Sequence, residues 1–156
     1  MDIRRAESRD IPELSDLLHQ VLAVHHNGRP DLFKPDCTKY TAAELEDILQ
    51  NEQTPVFAAF DADGRMLGYA FCQLEVYQND NILTDRKTLY IDDICVDENA
   101  RGQHVGTALY HSVLAYAREL GCYNVTLNVW ACNPGAQAFY EAMGMKPYKT
   151  GMEMIL

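Results

Sequence analysis

Residues 97–117 read DENARGQHVGTALYHSVLAYA, with two glycines and a histidine set directly before a long helix-forming run. The chemistry open to such a turn follows from helix geometry. The first four amides of an α-helix have no partner within it, and the dipole behind them adds partial positive charge, so phosphate or pyrophosphate oxygens suit the spot. Gly102 and Gly106 carry no side chain to keep such oxygens off the backbone. The P-loop pattern G-x-x-x-x-G-K-S/T, with its phosphate lysine, is absent, and so is G-x-G-x-x-G. By itself the turn reads equally as an anion site or as the plain start of a helix. Just before it stand the adjacent carboxylates Asp92 and Asp93. On a regular strand their side chains point to opposite faces, so at most one can enter a cleft unless a bulge re-aims them.

The elements that must position these residues are legible in the apolar spacing. MDIRRA reads as a short first strand. Asp10 and Glu13 form a capping pair around Pro12 and announce a helix carrying Ile11, Leu14, Leu17, Leu18, Val21 and Leu22, which ends near His26. NGRPDLFKPDCTKY breaks regular structure. Thr41 and Glu44 make a capping box for a second helix, ending near Asn51. PVFAAF, the turn DADG and MLGYAFCQLEVY read as a hairpin with Gly64 at positive φ. QNDNILTD is a polar loop and KTLYIDDICV the next strand. The helix of the opening stretch follows, with Val105, Ala108, Leu109, Val113, Tyr116, Ala117 and Leu120 on its apolar face. Then come the strand NVTLNV, the helix PGAQAFYEAM, and a terminal strand or hairpin in MKPYKTGMEMIL.

The order β-α-α-β-β-β-α-β-α-β predicts an α/β fold with a central mixed sheet and helices on both faces, in a single domain spanning residues 1–156. Ligands of such sheets lie beyond the carboxyl ends of parallel strands, where the opening stretch falls.

The 156 residues carry 13 basic and 23 acidic side chains, a formal charge of −10. That balance excludes a nucleic-acid binder of the clustered Lys and Arg type and is compatible with a cationic partner. The five cysteines show no C-x-x-C pair and read as reduced core residues. No apolar leader and no eighteen-residue apolar run is visible, so the cytoplasm is the default compartment and no membrane partner is expected. His25 and His26 are adjacent without supporting carboxylate or Cys spacing, which is not a metal site.

The strand, turn and helix resemble the coenzyme-binding core of the GNAT superfamily of N-acetyltransferases, with pattern V-x-x-x-x-R-G-x-G-(I or V)-G-x-x-L. It is met here by Val96, Arg101, Gly102, Val105, Gly106 and Leu109, with His104 where the family usually has Gly. LNVWACNPGAQAFYEAMGM is similar to the family's L-x-V-x-x-x-N-x-x-A-x-x-F-Y-x-x-x-G-F through Leu127, Val129, Asn133, Ala136, Phe139, Tyr140 and Gly144, with Met145 in place of the last Phe. The strong resemblance spans residues 88–146.

The resemblance implies an acetyl-CoA-dependent N-acetyltransferase without a metal. The backbone of Ile94, Cys95 and Val96 would pair with the pantetheine arm. Amides from Gly102 through Gln103, His104, Val105 and Gly106 to Thr107, beside Arg101, would hold the pyrophosphate. Asn133 would contact the pantetheine arm, and it also suits the N-cap before Pro134. An imidazole at His104 requires a backbone helical enough to tolerate it, and the ring either donates to a phosphate or points to solvent.

The family assigns the tyrosine matching Tyr140 to protonating the departing coenzyme thiolate, which a phenol of pKa about 10 can do. The amine acceptor, with a pKa near 10.4, must lose a proton first. Polyamine acetyltransferases of this family have L-E-D-F-F-V where this chain has I-D-D-I-C-V, which makes Asp92 the candidate base, with Glu75 in reserve. Cys95 could act as a nucleophile, but no His lies near it in sequence. Acceptor choice falls to the first loop, where His25, Arg29 and Phe33 could line a pocket, although Arg29 and Asp31 could simply pair. A small-molecule amine, polyamine or amino-acid-like, is the favoured acceptor. The alternatives are a protein N-terminus or lysine, or a non-catalytic acyl-CoA sensor. The family resemblance also admits a homodimer.

Overall fold

The computed structural model describes all residues 1–156. Five strands form one sheet in the order β1-β2-β3-β4-β5: β1 (Asp2–Arg5), β2 (Val56–Phe60), β3 (Met66–Tyr77), β4 (Arg86–Val96) and β5 (Asn124–Leu127). The first four pair antiparallel, and β4 pairs β5 parallel through the crossover helix α3 (Val105–Glu119). On one face lie α1 (Ile11–Gly28) and α2 (Ala42–Gln50), and on the other α3 and α4 (Pro134–Ala142).

Alternation along the strands feeds both layers. Ala58, Phe60, Tyr69, Phe71 and Cys95 pack with Leu14, Leu17, Leu18 and Leu45 on the α1/α2 side. Phe57, Ala59, Ala70, Cys72, Leu89 and Ile91 pack with Val105, Leu109 and Val113 on the α3 side. The mixed sheet with helices on both faces is thus as the periodicity predicts.

Three local expectations change. Asp10 does not cap α1, because its carboxylate is already taken. It accepts from Arg4 at 2.7 and 2.9 Å and from the Glu7 amide at 2.8 Å. Residues 145–156 form no strand. Met152, Met154, Ile155 and Leu156 are exposed, so the apolar alternation there has no surface to bury against, and Glu153 is bonded to Arg29 instead. The strand pattern NVTLNV pairs only as far as Leu127, for a reason that shapes the site.

Candidate active site

β4 and β5 pair from Thr88↔Asn124 to Ile91↔Leu127 and no further, yet β4 runs on to Val96. Beyond Ile91 the two parallel strands part. The edge of β4 that faces β5 is left without a strand partner from Asp92 to Val96, while the other edge stays paired to β3. Unpaired backbone along a strand invites an extended ligand to pair with it. Ile94, Cys95 and Val96 lie along this seam.

A bulge sits where the seam opens. Phe71 faces Asp93 and Cys72 faces Ile91, so Asp92 has no opposite number on β3. A bulge inserts one residue and breaks the alternation. The exception allowed for a bulge therefore applies: Ile91 and Ile94 pack toward α3, and both carboxylates turn to the α1/α2 side. Asp93 accepts from the buried Tyr69 hydroxyl at 2.7 Å. Asp92 accepts from Lys39 Nζ at 2.5 Å and Tyr40 OH at 3.2 Å. Tyr40 and Tyr69 both lie against Phe71, with ring centroids 5.8 and 4.9 Å apart. Burial pushes the Asp93 carboxyl above its ordinary value, and the Tyr69 hydrogen bond offsets that only in part.

Below the seam the chain turns through residues 97–104. Gly102 has φ 76° and His104 φ 61°, so His104, the N-cap of α3, is left-handed rather than helical. Glycine takes that region without cost, and His is among the few other residues found there at all. No side chain caps α3. The amides of Val105, Gly106 and Thr107 therefore stand free in the first turn, the first intrahelical bond being Ala108 N to His104 O at 3.0 Å. A Cβ on Gly106 would lie 3.5 Å from Phe139 Cζ and Val96 Cγ2, which is ordinary contact, so the chain's own packing does not demand glycine there. Arg101 is exposed without an ion pair, and Gln103 donates to Asn99 O at 3.3 Å.

From the α4 side, Asn133 Oδ1 caps its helix by accepting from Ala136 N at 3.1 Å, which leaves the amide NH₂ without a bond inside the chain. Tyr140 is partly buried, with its ring 5.1 Å from Phe139 and 6.3 Å from Tyr110. Its hydroxyl has no hydrogen-bond partner and yet is not sealed off, since no buried side-chain polar atom lacks a partner. Burial, and after it the negative charge of Asp93, raises the phenol's pKa, so Tyr140 keeps its proton. Cys95 faces the other way. Its Sγ donates to Leu17 O at 3.6 Å, and burial pushes the thiol up to about 12, which removes the thiolate that a covalent route needs.

The first loop divides. His25 stacks on Phe33 at 5.1 Å, and Phe33 meets Trp130 edge-on at 5.2 Å, an aromatic group joining α1 to the β5–α4 loop. His26 Nδ1 bonds Phe33 O at 2.7 Å. Arg29 is drawn away to Asp31 and Glu153, as the pairing alternative has it. Glu75 is three residue pairs along β3 from the bulge and accepts from Tyr77, so it does not join Asp92. Four residues were not singled out from sequence: Lys39, Tyr40, Tyr69 and Trp130. The first two precede the adjacent acids by a distance no local pattern encodes, whereas the aromatics of MLGYAF, which holds Tyr69, and the unique tryptophan were visible signals of a packed site.

The family model for the acetyltransferase (GNAT) family matches residues 21–145, and the chain belongs to that family. A point mutant of a protein from Bacillus halodurans superposes with a TM-score of 0.95 at 29% identity, over 100% of this chain and 99% of the other. An uncharacterized N-acetyltransferase of Methanocaldococcus jannaschii is 31% identical over 90 residues, 58% of this chain and 38% of that protein, so the chain spans about two fifths of its length. An aminoglycoside N-acetyltransferase solved in complex with CoA shares the fold, with a TM-score of 0.74 and 19% identity over 99% of this chain and 98% of that one. No helix here is long and apolar enough to cross a membrane.

Proposed function

We propose that the chain moves acetyl from acetyl-CoA to a primary amine by direct attack within a ternary complex. The observation that carries this is the seam: a free edge of β4 that runs from two inward acids down to an uncapped helix start. Acetyl-CoA supplies an acetyl thioester. The Ile94–Val96 backbone would hold its pantetheine arm, with the free Asn133 NH₂ alongside, and the amides from Gly102 to Thr107 its pyrophosphate. A backbone amide of β4 would steady the carbonyl oxygen as charge develops on it.

Asp92, directly or through water, would take the proton from the incoming ammonium. Asp93 sits beside it as a second acid held by Tyr69. Tyr140 would give its proton to the departing sulfur, and its raised pKa keeps that proton available at neutral pH. The favoured acceptor is a small cationic amine, because the loop carrying Lys39 and Tyr40 closes over Asp92 and His25, Phe33 and Trp130 form an aromatic wall suited to a cation.

The test is thiol release from acetyl-CoA against polyamines, amino acids, aminoglycosides and lysine or N-terminal peptides. Turnover is expected on a small amine, and Tyr140→Phe should slow it by about a hundredfold with coenzyme affinity unchanged. Failure to bind coenzyme sinks the proposal. Binding without turnover on any amine would make the chain a sensor, and turnover on peptides alone would move the acceptor to protein.

A further inference from the structure

Lys39 is the one cation paired with either seam carboxylate. It lies in the irregular segment between α1 and α2, and its Nζ donates to Asp92 Oδ2 at 2.5 Å. Tyr40 OH bonds the same oxygen, and Nζ lies 5.3 Å from the centroid of the Tyr40 ring. The lysine side chain is 36% exposed against 16% for the aspartate, so the amine enters from solvent and its head goes into the cleft. A primary alkylammonium is therefore bonded to the proposed base at the residue where β4 parts from β5. Two requirements placed on an external acceptor, a primary alkylammonium and contact with the base, are met by this side chain.

We propose that Lys39 is an acceptor within its own chain, acetylated on Nζ when acetyl-CoA occupies the seam; this rests on the function proposed above. The Lys39 ammonium gives one proton to Asp92, and the freed nitrogen lone pair forms a C–N bond to the acetyl carbonyl carbon. The C–S bond breaks, and its electron pair leaves on sulfur. The sulfur takes a proton from Tyr140, which the second nitrogen proton restores, by way of water. The products are an acetamide at Lys39, coenzyme A as thiol, and the proton first taken by Asp92, which passes to solvent.

The environment of Lys39 is that of a held substrate. Burial lowers its pKa, and the bond and charge of Asp92 outweigh that and raise it, so the resting amine stays protonated until its partner removes the proton. No other lysine is so placed: Lys87, for instance, donates to Leu120 O at the far end of β4. Acetylation discharges Nζ and breaks the ion pair. Asp92 is then left to Tyr40, and the same position opens to an external amine. The unmodified loop thus competes with the acceptor.

The experiment incubates the full chain with acetyl-CoA and no acceptor, and follows intact mass and the peptide carrying Lys39. Expected are addition of one acetyl group at Lys39, about tenfold faster than at any other lysine, at a rate independent of protein concentration and reduced in Tyr140→Phe. Lys39→Arg should remove that product and leave only slow background on surface lysines. Without coenzyme, acetic anhydride should label Lys39 severalfold more slowly in the native chain than in Asp92→Asn, because the ion pair keeps the amine protonated. Equal labelling, or Lys39 modified no faster than Lys146 and Lys149, overturns the inference. If thiol release on free amines continues in that case, the proposed function stands without it. If no coenzyme-dependent chemistry occurs on any amine, both fall.

Discussion

Asp10 and Asp93 are both drawn away from water, and the chain treats them in opposite ways. Asp10 receives two bonds from Arg4 and one from the Glu7 amide. The Arg4 hydrogen bond, against the cost of burial, holds its carboxyl below the usual range. Asp93 receives one phenol, from Tyr69, and burial wins, so its carboxyl is raised. Two helix starts repeat the contrast. α2 opens on Thr41, whose hydroxyl accepts from Glu44 N at 3.3 Å while the Glu44 carboxylate returns to Thr41 N at 2.7 Å. α3 opens on a left-handed histidine and leaves its amides free. Where the chain needs only to fold, it satisfies its own polar groups. Around the seam it leaves an acid, a helix start and a strand edge for something else to complete.

The largest effect expected from disturbing that contrast comes from giving α3 a charge of its own. Thr107→Glu places a carboxylate in the first turn. It should stabilise the free chain by about 0.5 kcal/mol through the dipole and weaken coenzyme binding by about tenfold or more through repulsion of the pyrophosphate, read by calorimetric titration. Unchanged affinity would remove the anion from this helix start. At the capped helix, Thr41→Ala should cost about 1 kcal/mol in denaturant unfolding and leave coenzyme affinity as it was. A loss of affinity there would erase the distinction between the two starts.

A smaller effect separates the two aspartates by pH. Asp10, with its lowered pKa, contributes stability that is present above the ordinary carboxylate value near 4 and is lost as pH falls through the lowered one. Asp93, with a raised pKa, works the other way: stability falls as pH rises from the ordinary value through the raised one. Asp93→Asn should therefore raise the melting temperature at neutral pH and lose that advantage in acid. An advantage independent of pH would mean that packing, not charge, is the cause.

Sequence reading reached the element order because periodicity is local. It found α1, α2, the hairpin at Gly64, α3 and α4; of the motif residues, Val96 lies on the unpaired edge of β4, Gly106 in the first turn of α3 and Asn133 at the N-cap of α4, with Tyr140 in the last turn of that helix. It did not reach the bulge at Asp92, since register depends on which β3 residue faces which β4 residue, and nothing within IDDICV reports that. The pairing of Lys39 with Asp92 spans 53 residues and is fixed by how the loop folds back. At His104 the substitution for glycine was plain in the sequence, but its left-handed backbone was not. The turn imposes that conformation, and the side chain follows. The terminal strand was expected from an alternation that has no surface to rest on.

The parting of β4 from β5 leaves the last strand pair of the sheet open beyond Ile91. A sheet completed by its ligand has a folded state that ligand concentration helps to populate, in proportion to RT ln(1 + [L]/Kd). Starved of coenzyme, such a chain would open more often along the seam and offer more of its backbone to proteases. The supply of its substrate would then help to set the lifetime of the protein as well as its rate.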